Sequence, residues 1–539
     1  MTIESVRPPA SELEANQPST GRLDVWAARL FVLYLVVAFP LLLLVFGSYH
    51  WFFGDEWEFL ADRSLALNDI FRDHFGHWAT TPVLIYRGLY NLVGVRSYLP
   101  YQALLVLSHL LIAWLLFVVI RRAGVKAWIG ACVVAPFVIF GPGAQNLTWA
   151  FQIAFNFALL FGLVQLLLAD HDGPVDRRDW LGLAAGGVAL TCSGVGPAMV
   201  VAVGAATLIR RGMGPAAFQT VPLFGLFGLW YVLADPSSSN QSSTLSGMLS
   251  WVGESAVAVA EGLGRWTLVS AALAGLLVVG SWLTWVTSTG LVRRRWFAAP
   301  MGLLVGALAF VVASGATRAT GIGPGADSSR YVYVVAALSL PAFAVAAHSV
   351  VARWRMLGPV VAGVFLLPVV PNFDGFEATA FGERYFDLRR DLFAAMAYSP
   401  YVDQVPSWVE PLPGVFEFYE MDVGFLRSAR RDGRLPARPD LIDPAIEAQM
   451  PIRFGLATVG VSSGFGPTCV THEQPLPIQP ALGDRLTLAT PVNVATADRD
   501  ARRGRAVNFR PSDVEVVLPE LDLMLTPAPG AMRFVVCDR

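Results

Sequence analysis

The sequence predicts a mostly α-helical, polytopic membrane helix bundle with about eleven embedded segments, followed by an extracytoplasmic C-terminal domain of mixed α/β structure that is β-rich at its end. Of the 539 residues, 55% are hydrophobic and only 15% are charged, with a mean hydropathy of +0.53. That composition belongs to a chain that lies mostly in lipid. Apolar runs recur up to Pro371, and arginines fall at alternate ends of them.

Eight apolar stretches are long enough to cross a bilayer as helices. In chain order they are Trp26–Ser48, Tyr98–Ile120, Ile153–Ala169, Pro215–Ala234, Thr267–Val292, Trp296–Ser314, Tyr331–Ala352 and Met356–Pro371. Three shorter stretches are Trp128–Gly141, Trp180–Thr191 and Pro197–Ile209. The last two flank Cys192–Gly196, which we interpret as the broken tip of a hairpin at membrane depth, where freed backbone groups need protein or water around them.

The positions of the basic residues predict which side of the membrane each loop occupies. Lys and Arg in short loops remain cytoplasmic. With the hairpin counted as two passes, all the basic loops face inward; they contain Arg121, Arg122, Lys126, Arg177, Arg178, Arg210, Arg211, Arg293–Arg295, Arg353 and Arg355. We therefore expect a multi-pass plasma-membrane protein with a disordered cytoplasmic segment at 1–25, a membrane domain at 26–371 and an outer domain at 372–539.

The outer domain has an ordinary charge density and alternating patterns of short strands between turn residues. Helical spacing of apolar residues appears at Phe381–Met396 and Asp422–Asp432. Strand patterns appear at Arg485–Val494, Asp513–Leu518 and Met532–Val536, which favours a β-sandwich-like end. Cys469 and Cys537 both lie in this domain, and an oxidising compartment would link them as a disulfide.

The first outer loop, between the first two spans, is the segment with the most chemical groups. Asp55, Glu56 and Glu58 follow the first span closely, and His74 and His77 come later among tryptophans. A carboxylate at the membrane interface can accept a proton from a hydroxyl group, and aromatic faces can hold a sugar ring. The alternative is that the aromatic residues form an interfacial belt and that the carboxylates are solvated surface, which is what we expect of Glu58.

The order of these features resembles the C-type (GT-C fold) membrane glycosyltransferases. In that superfamily an Asp, commonly followed by Glu, comes just after the first span, and Asp55-Glu56 resembles it. A His- and Pro-containing return of the loop is similar to His77–Pro82, and a late outer loop ending in Arg-Tyr is similar to Ser328–Tyr331. The run Gly141–Asn156 looks like a segment of actinobacterial members. The resemblance extends from the first span to about Pro371.

The resemblance implies an enzyme that moves a sugar from a polyprenyl-phosphate donor onto an extracytoplasmic glycan, lipid or protein. In this interpretation Asp55 is the general base for the acceptor hydroxyl and Glu56 supports it. The candidate substrate-binding residues are His77, Asn146, Gln152, Arg318, Arg330 and Tyr331. A guanidinium group matches phosphate oxygens, although an arginine that begins a span is also a common interfacial anchor. Amides at the mouth of a span can bind a sugar or satisfy freed backbone groups.

No cofactor is required by this chemistry, although a divalent cation is compatible with it. The sequence leaves two other classes open. A transporter or a lipid or glycan flippase has the same gross composition. Coupled transporters usually place charged residues near the midplane, whereas the only Asp, Glu, Lys or Arg in these spans is Arg29, near the cytoplasmic end. A catalytically inactive scaffold that presents the outer domain is the third class. The formal net charge of −2 gives no support to a nucleic-acid partner.

Overall fold

The computed structural model of the chain describes 21–236, 243–288, 290–319, 324–378, 382–411, 421–438, 444–447, 449–455, 458–461, 468–479, 485–488, 490, 492–496, 507–509, 514–517, 523–527 and 532–538. Most of the predicted N-terminal segment 1–25 lies outside these residues, and the first helix begins at Arg22.

The helices of the first two thirds of the chain follow one another with short connections. They are α1 Arg22–Leu41, extended by a wider turn Leu42–Phe46, then α2 Thr80–Val93, α3 Leu99–Arg122, α4 Ala127–Val138, α5 Ile153–Ala169, α6 Arg177–Leu190, α7 Val195–Arg211, α8 Met213–Ala234, α9 Leu245–Gly264, α10 Thr267–Thr287, α11 Gly290–Arg318, α12 Ser329–Arg353 and α13 Gly358–Leu366. Between α1 and α2 the loop has a short helix Leu67–Ile70 and two short strands, β1 Asp73–His74 and β2 His77–Trp78.

Eight helical segments are long and apolar enough to cross a membrane, and each of the eight longer predicted stretches corresponds to one of them. Their bounds are Arg22–Phe46, Leu99–Arg122, Ala150–Ala169, Met213–Ala234, Thr267–Thr287, Trp296–Arg318, Ser329–Arg353 and Arg355–Phe376. The three shorter predicted stretches are the helices α4, α6 and α7. The chain is therefore a mostly α-helical, multi-pass membrane protein.

Helix α9 is the main element that the sequence analysis did not predict, because it falls in the stretch that we interpreted as a loop. The side chain of Thr244 caps its first turn by accepting a hydrogen bond from the backbone of Gly247 at 3.2 Å. Glu254 and Glu261 lower the average hydropathy of this segment, so a window that searches for transmembrane stretches passes over it.

The C-terminal part has both of the predicted types of element. Its helices are α14 Gly382–Tyr398, α15 Val423–Arg431 and α16 Met450–Gly455, with a short helix Pro444–Glu447. The strands are β3 Thr458–Val461, β4 Thr468–His472, β5 Leu476–Ile478, β6 Arg485–Leu488, β7 Val492–Thr496, β8 Val507–Phe509, β9 Val514–Val517, β10 Leu523–Pro527 and β11 Phe534–Asp538. Both predicted helices are present, and the three predicted strand regions contain β6, β7, β9 and β11.

The strands form two antiparallel sheets that share a core. One sheet has the order β5-β10-β7-β8 and the other has the order β3-β9-β6-β11-β4. Val494 and Leu525 of the first sheet and Phe534 and Val536 of the second lie in one buried cluster. This face-to-face packing is that of a β-sandwich, as the sequence predicts.

The predicted cysteine pair lies between two neighbouring strands of the five-stranded sheet. The register of β4 and β11 places Cys537 opposite Cys469. Cys469 is disulfide-bonded, whereas Cys132 and Cys192 are free thiols. This arrangement agrees with the bond that we expected from the sequence.

The chain divides into two compact units that do not follow the chain order. The first unit comprises Met1–Ser48, Phe71–Pro82 and Gln102–Ala380. The second comprises Tyr49–Ile70, Val83–Tyr101 and Phe381–Arg539. The second unit thus combines both ends of the first outer loop with the C-terminal region. We describe the sites of the two units separately.

Candidate functional site

In the first unit, the centre of the first outer loop forms a two-residue β-hairpin that presents two histidines. Strands β1 and β2 pair His74 with His77 across the turn. The turn residues Phe75 and Gly76 both have a positive φ, 46° and 80°, as a tight hairpin of this handedness requires. The carboxylate of Asp73 accepts a hydrogen bond from the backbone N–H of Gly76 at 2.8 Å and holds the turn.

Two arginines lie near these histidines, one from the end of α11 and one from the start of α12. The guanidinium carbons of Arg318 and Arg330 lie 5.9 and 5.8 Å from the centre of the Tyr331 ring. Burial, together with electrostatic interactions with Arg318, His74 and Arg330, lowers the pKa of His77 to about 4, although Asp73 opposes this. His77 is therefore neutral near pH 7. We name His74, His77, Arg318, Arg330 and Tyr331 the histidine–arginine cluster.

The end of the hairpin is fixed against the tip between α6 and α7. The backbone N–H of Thr81 donates to the carbonyl of Thr191 at 3.0 Å, and the two threonine hydroxyls lie 2.7 Å apart. A Cβ atom at Gly194 would lie only 3.2 Å from the His77 ring. The broken tip that we predicted from Cys192–Gly196 is thus occupied by the histidine-bearing loop.

Aromatic stacking fixes the other side of this loop. The Trp78 and Trp230 rings are parallel within 4° with centroids 5.1 Å apart. The indole N–H of Trp230 donates to the carbonyl of Phe71 at 3.0 Å. The position of His77, between Trp78 and the turn, is therefore set by contacts on both sides.

The segment Gly141–Asn156 contributes buried amides near the same cluster. The backbone N–H of Gln145 donates to the hydroxyl of Ser329, which precedes Arg330, at 3.2 Å. Gln152 is fully buried, and neither polar atom of its side chain has a hydrogen-bond partner among the described residues. A buried amide without partners is costly, so this side chain is suited to bind a polar ligand or water.

Asn146 differs from Gln152 because much of its hydrogen-bonding capacity is used within the protein. Its side-chain N–H₂ donates to Asn156 Oδ1 at 3.4 Å, and its backbone carbonyl accepts from Asn156 Nδ2 at 3.1 Å. These bonds join the irregular segment before α5 to the helix itself. Asn146 Oδ1 is buried without a partner among the described residues.

In the second unit, Asp55 lies in a turn at the start of the first outer loop. Gly54, just before it, has φ +62°, a conformation that L-amino-acid side chains disfavour. The backbone N–H of Trp57 donates to the carbonyl of Gly54 at 3.1 Å and closes the turn. Asp55 is partly exposed, whereas its neighbours Gly54 and Glu56 are buried.

Glu56 is fully buried and is surrounded by donors. One carboxylate oxygen accepts from the Tyr86 hydroxyl at 2.6 Å and from the Tyr98 hydroxyl at 3.0 Å. The other accepts from the backbone N–H of Phe53 at 3.0 Å. Burial and the Glu56 carboxylate raise the pKa of Tyr86 well above its usual value, so this hydroxyl remains a donor. These bonds make Glu56 a residue that positions the turn carrying Asp55.

The expectation that Glu58 is a solvated surface carboxylate is wrong. Glu58 is buried and forms an ion pair with Arg63, which is itself only 2% exposed. The guanidinium group of Arg63 also donates to the carbonyl of Asp69 at 2.8 Å. Glu58 therefore fixes the fold of the loop and is unsuitable as a neutral comparison in mutagenesis.

Another polar cluster of the first unit lies at the ends of α6 and α7 that are away from the Cys192–Gly196 tip. Its His171, Asp176 and Asp179 have ligand atoms within 4.8 Å of one another, a group that could hold a metal ion. Both oxygens of the fully buried Asp179 already accept from Arg211, at 2.6 and 3.0 Å. Arg211 thus already binds the carboxylate oxygens that would coordinate a metal ion. The same ion pair joins α6 to α7.

The structure brings four of the predicted substrate-binding residues together in the first unit, namely His77, Arg318, Arg330 and Tyr331. Asn146 and Gln152 lie in a segment that contacts this region through Ser329 and through Phe151, whose ring centroid is 5.4 Å from that of His74. Asp55 and Glu56 belong to the second unit. Sequence analysis did not assign roles to Tyr86 and Tyr98, which are 30 and 42 residues from Glu56 along the chain.

Comparison with known proteins finds a distant structural similarity. No protein-family model and no curated protein matches the chain. The crystal structure of ArnT from Cupriavidus metallidurans in the apo state has a similar fold, with a TM-score of 0.46 and 16% sequence identity. The match covers 74% of this chain and 84% of ArnT.

Proposed function

We propose that this protein is a C-type membrane glycosyltransferase that transfers a sugar from a polyprenyl-phosphate donor to an acceptor outside the cytoplasm, such as an envelope glycan, a lipid or a protein. The N-terminus lies in the cytoplasm and the C-terminal domain outside it in this proposal. The observation that carries the proposal is the histidine–arginine cluster.

The cluster fits a phosphate group attached to a lipid. The guanidinium carbons of Arg318 and Arg330 lie 5.9 and 5.8 Å from the centre of the Tyr331 ring. Each guanidinium group can donate two hydrogen bonds to phosphate oxygens. A neutral His77 donates or accepts a hydrogen bond without adding a third fixed charge. Because Arg318 and Arg330 lie at the ends of apolar helices, they are suited to a phosphate at the lipid headgroup level.

The buried amide of Gln152 complements the phosphate site. Its two polar atoms can pair with sugar hydroxyls, which both donate and accept. Asn146 offers one further acceptor, its Oδ1. We assign these side chains to the sugar of the donor and the two arginines to its phosphate.

Asp55 is the general base in this proposal. It takes the proton from an acceptor hydroxyl as that oxygen bonds to the anomeric carbon, and the bond from this carbon to the phosphate oxygen breaks to release polyprenyl phosphate. Glu56, held by Tyr86 and Tyr98, fixes the turn. The leaving phosphate needs no nucleotide. A divalent cation beside it is compatible with the mechanism, and transfer measured with and without a chelator decides this point.

Donor binding tests the proposal. A set of polyprenyl-phosphate sugars is screened for protection of the purified protein against thermal unfolding, because a ligand that binds the folded state raises its apparent stability. The Arg330→Ala variant should bind the selected donor at least about tenfold more weakly, and Arg330→Lys should recover only part of the loss because the planar fork is missing.

Arg22→Ala, at the exposed start of α1, is the control and should bind the donor like the parent protein. If no polyprenyl-phosphate sugar protects the parent protein, or if Arg330→Ala binds the donor unchanged, the histidine–arginine cluster is not a donor site. If the protein moves lipid-linked sugars across vesicles without transferring them, it is a flippase.

A further inference from the structure

A cavity of about 370 Å³ lies in the first unit, away from the helix ends that carry the histidine–arginine cluster. Helices α7, α10, α11 and α12 line it with Ile209, Ser281, Pro300, Met301, Ala342 and Val345 among other residues. Every lining residue except Ser281 is apolar. The volume falls in the range of small-molecule sites, about 300 to 1,000 Å³.

The helices on either side of this cavity are packed in pairs by close backbone contacts. A Cβ atom at Gly302 of α11 would lie 2.5 Å from the carbonyl oxygen of Ala202 in α7. A Cβ atom at Gly280 of α10 would lie 2.5 Å from the carbonyl oxygen of Ala346 in α12. The cavity therefore lies at the seam between two tightly packed helix pairs, α7 with α11 and α10 with α12, and small residues set the distance within each pair.

Two prolines lie at the level of the cavity. Pro300 of α11 lines it, and Pro341 of α12 directly precedes the lining residue Ala342. A proline inside a helix removes one backbone hydrogen bond and disturbs the turn before it. Each of these two helices therefore lacks one backbone hydrogen bond beside the cavity.

The helix ends nearest the cavity are rich in arginine. Ile209 is followed by Arg210 and Arg211, and the run Arg293–Arg295 precedes the lining residue Phe297 along the chain. Arg210 and Arg211 already pair with Asp170 and Asp179, so their charges are compensated. Arg353, eight residues or roughly 12 Å beyond Val345 along α12, is exposed.

We propose that this cavity binds one acyl chain of an anionic glycerophospholipid from the leaflet on the arginine-rich side, with the headgroup phosphate at Arg353. The apolar walls exclude a polar ligand, and a cavity between membrane-spanning helices is within reach of lipid tails. The exposed guanidinium group of Arg353 favours a negative headgroup. This site is independent of the donor site and of the proposed transfer reaction.

Native mass spectrometry of the full-length chain, stripped of lipid in detergent and then given phosphatidylglycerol, tests the cavity. The parent protein should retain one phosphatidylglycerol molecule per chain. Ala342→Leu and Ser281→Phe fill the cavity and should lower this retention at least about tenfold. Ala271→Leu, on the exposed outer part of α10 and not lining the cavity, should retain the lipid like the parent.

Ser281 is exposed at the cavity, so its variant keeps the test decisive even if Ala342→Leu fails to fold. For the headgroup, Arg353→Gln should lower the preference for phosphatidylglycerol over phosphatidylcholine at least about fivefold, and Arg22→Gln should leave it unchanged. Retention that is equal in parent and filled variants would overturn the proposal. So would the absence of retained lipid, or preferential retention of polyprenyl phosphate in the cavity.

Discussion

Glu56 shows how a buried charge is held in the first outer loop. Its fully buried carboxylate accepts hydrogen bonds from Tyr86, Tyr98 and the Phe53 N–H, so removing its charge leaves these donors with a poorer acceptor. We predict that Glu56→Gln lowers the free energy of unfolding by about 1 to 3 kcal/mol. Thermal unfolding in detergent measures this. Glu473→Gln, at an exposed position of the C-terminal part, should change it little, and an equal small change in both would contradict the assignment.

The pKa of His77 predicts a pH dependence of stability. In the folded protein this pKa is about 4, below the usual 6.5, so the unfolded chain takes up the proton first as the pH falls. The free energy of unfolding is therefore unaffected by this histidine above about pH 6.5. It falls as the pH decreases from there to about 4. His77→Gln should weaken this pH dependence, measured by thermal unfolding between pH 7 and pH 4. An unchanged dependence would mean that the surroundings of His77 do not lower its pKa.

At the scale of elements, glycines fix the closest helix contacts of the first unit. We predict that Gly302→Ala lowers the free energy of unfolding by about 1 to 3 kcal/mol, because the new methyl group would lie 2.5 Å from the Ala202 carbonyl and α7 and α11 would have to separate. The control Gly275→Ala introduces the same methyl group on α10, where nothing lies within 4 Å. It should be neutral or slightly stabilising. Equal unfolding temperatures for the two variants would show that the contact adapts at no cost.

The sequence was informative about the membrane helices because length and apolar composition determine them directly. Each of the eight long stretches is a helix, and the break at Cys192–Gly196 separates α6 from α7. Helix α9 was missed because its glutamates resemble those of a loop in a hydropathy window. Strands such as β4 and β10 were missed because their short runs depend on distant partners in the sheets, which local pattern does not contain.

The sequence indicated which residue types belong to the candidate site but not which residues contact one another. The order of Asp55, His77, Arg318 and Arg330 along the chain suggested them as candidate site residues, and the structure places the last three in one cluster. It also shows that Glu58 is buried against Arg63, which the local sequence gave no means to foresee. Such pairings arise from tertiary packing, so a residue's solvent exposure cannot be deduced from its charge alone.

For the whole molecule, the arginine pattern predicts the sidedness of the chain. A reporter enzyme fused after Arg539 should be active only outside the membrane, and one inserted between Asp170 and Asp179 only inside, because the basic loops remain in the cytoplasm. Fusion assays of both reporters in cells measure this. The opposite result at either position would overturn the predicted topology.

We expect Asp55 to be the general base of the proposed transfer, and its substitution by asparagine provides the test. Asp55→Asn keeps the size of the side chain and removes its basicity, so the purified, donor-loaded variant should fold and bind donor like the parent. Its rate of sugar transfer in a single-turnover assay should fall by about a hundredfold or more, whereas Glu473→Gln should transfer at the parent rate. Transfer by Asp55→Asn at close to the parent rate would exclude Asp55 as the general base.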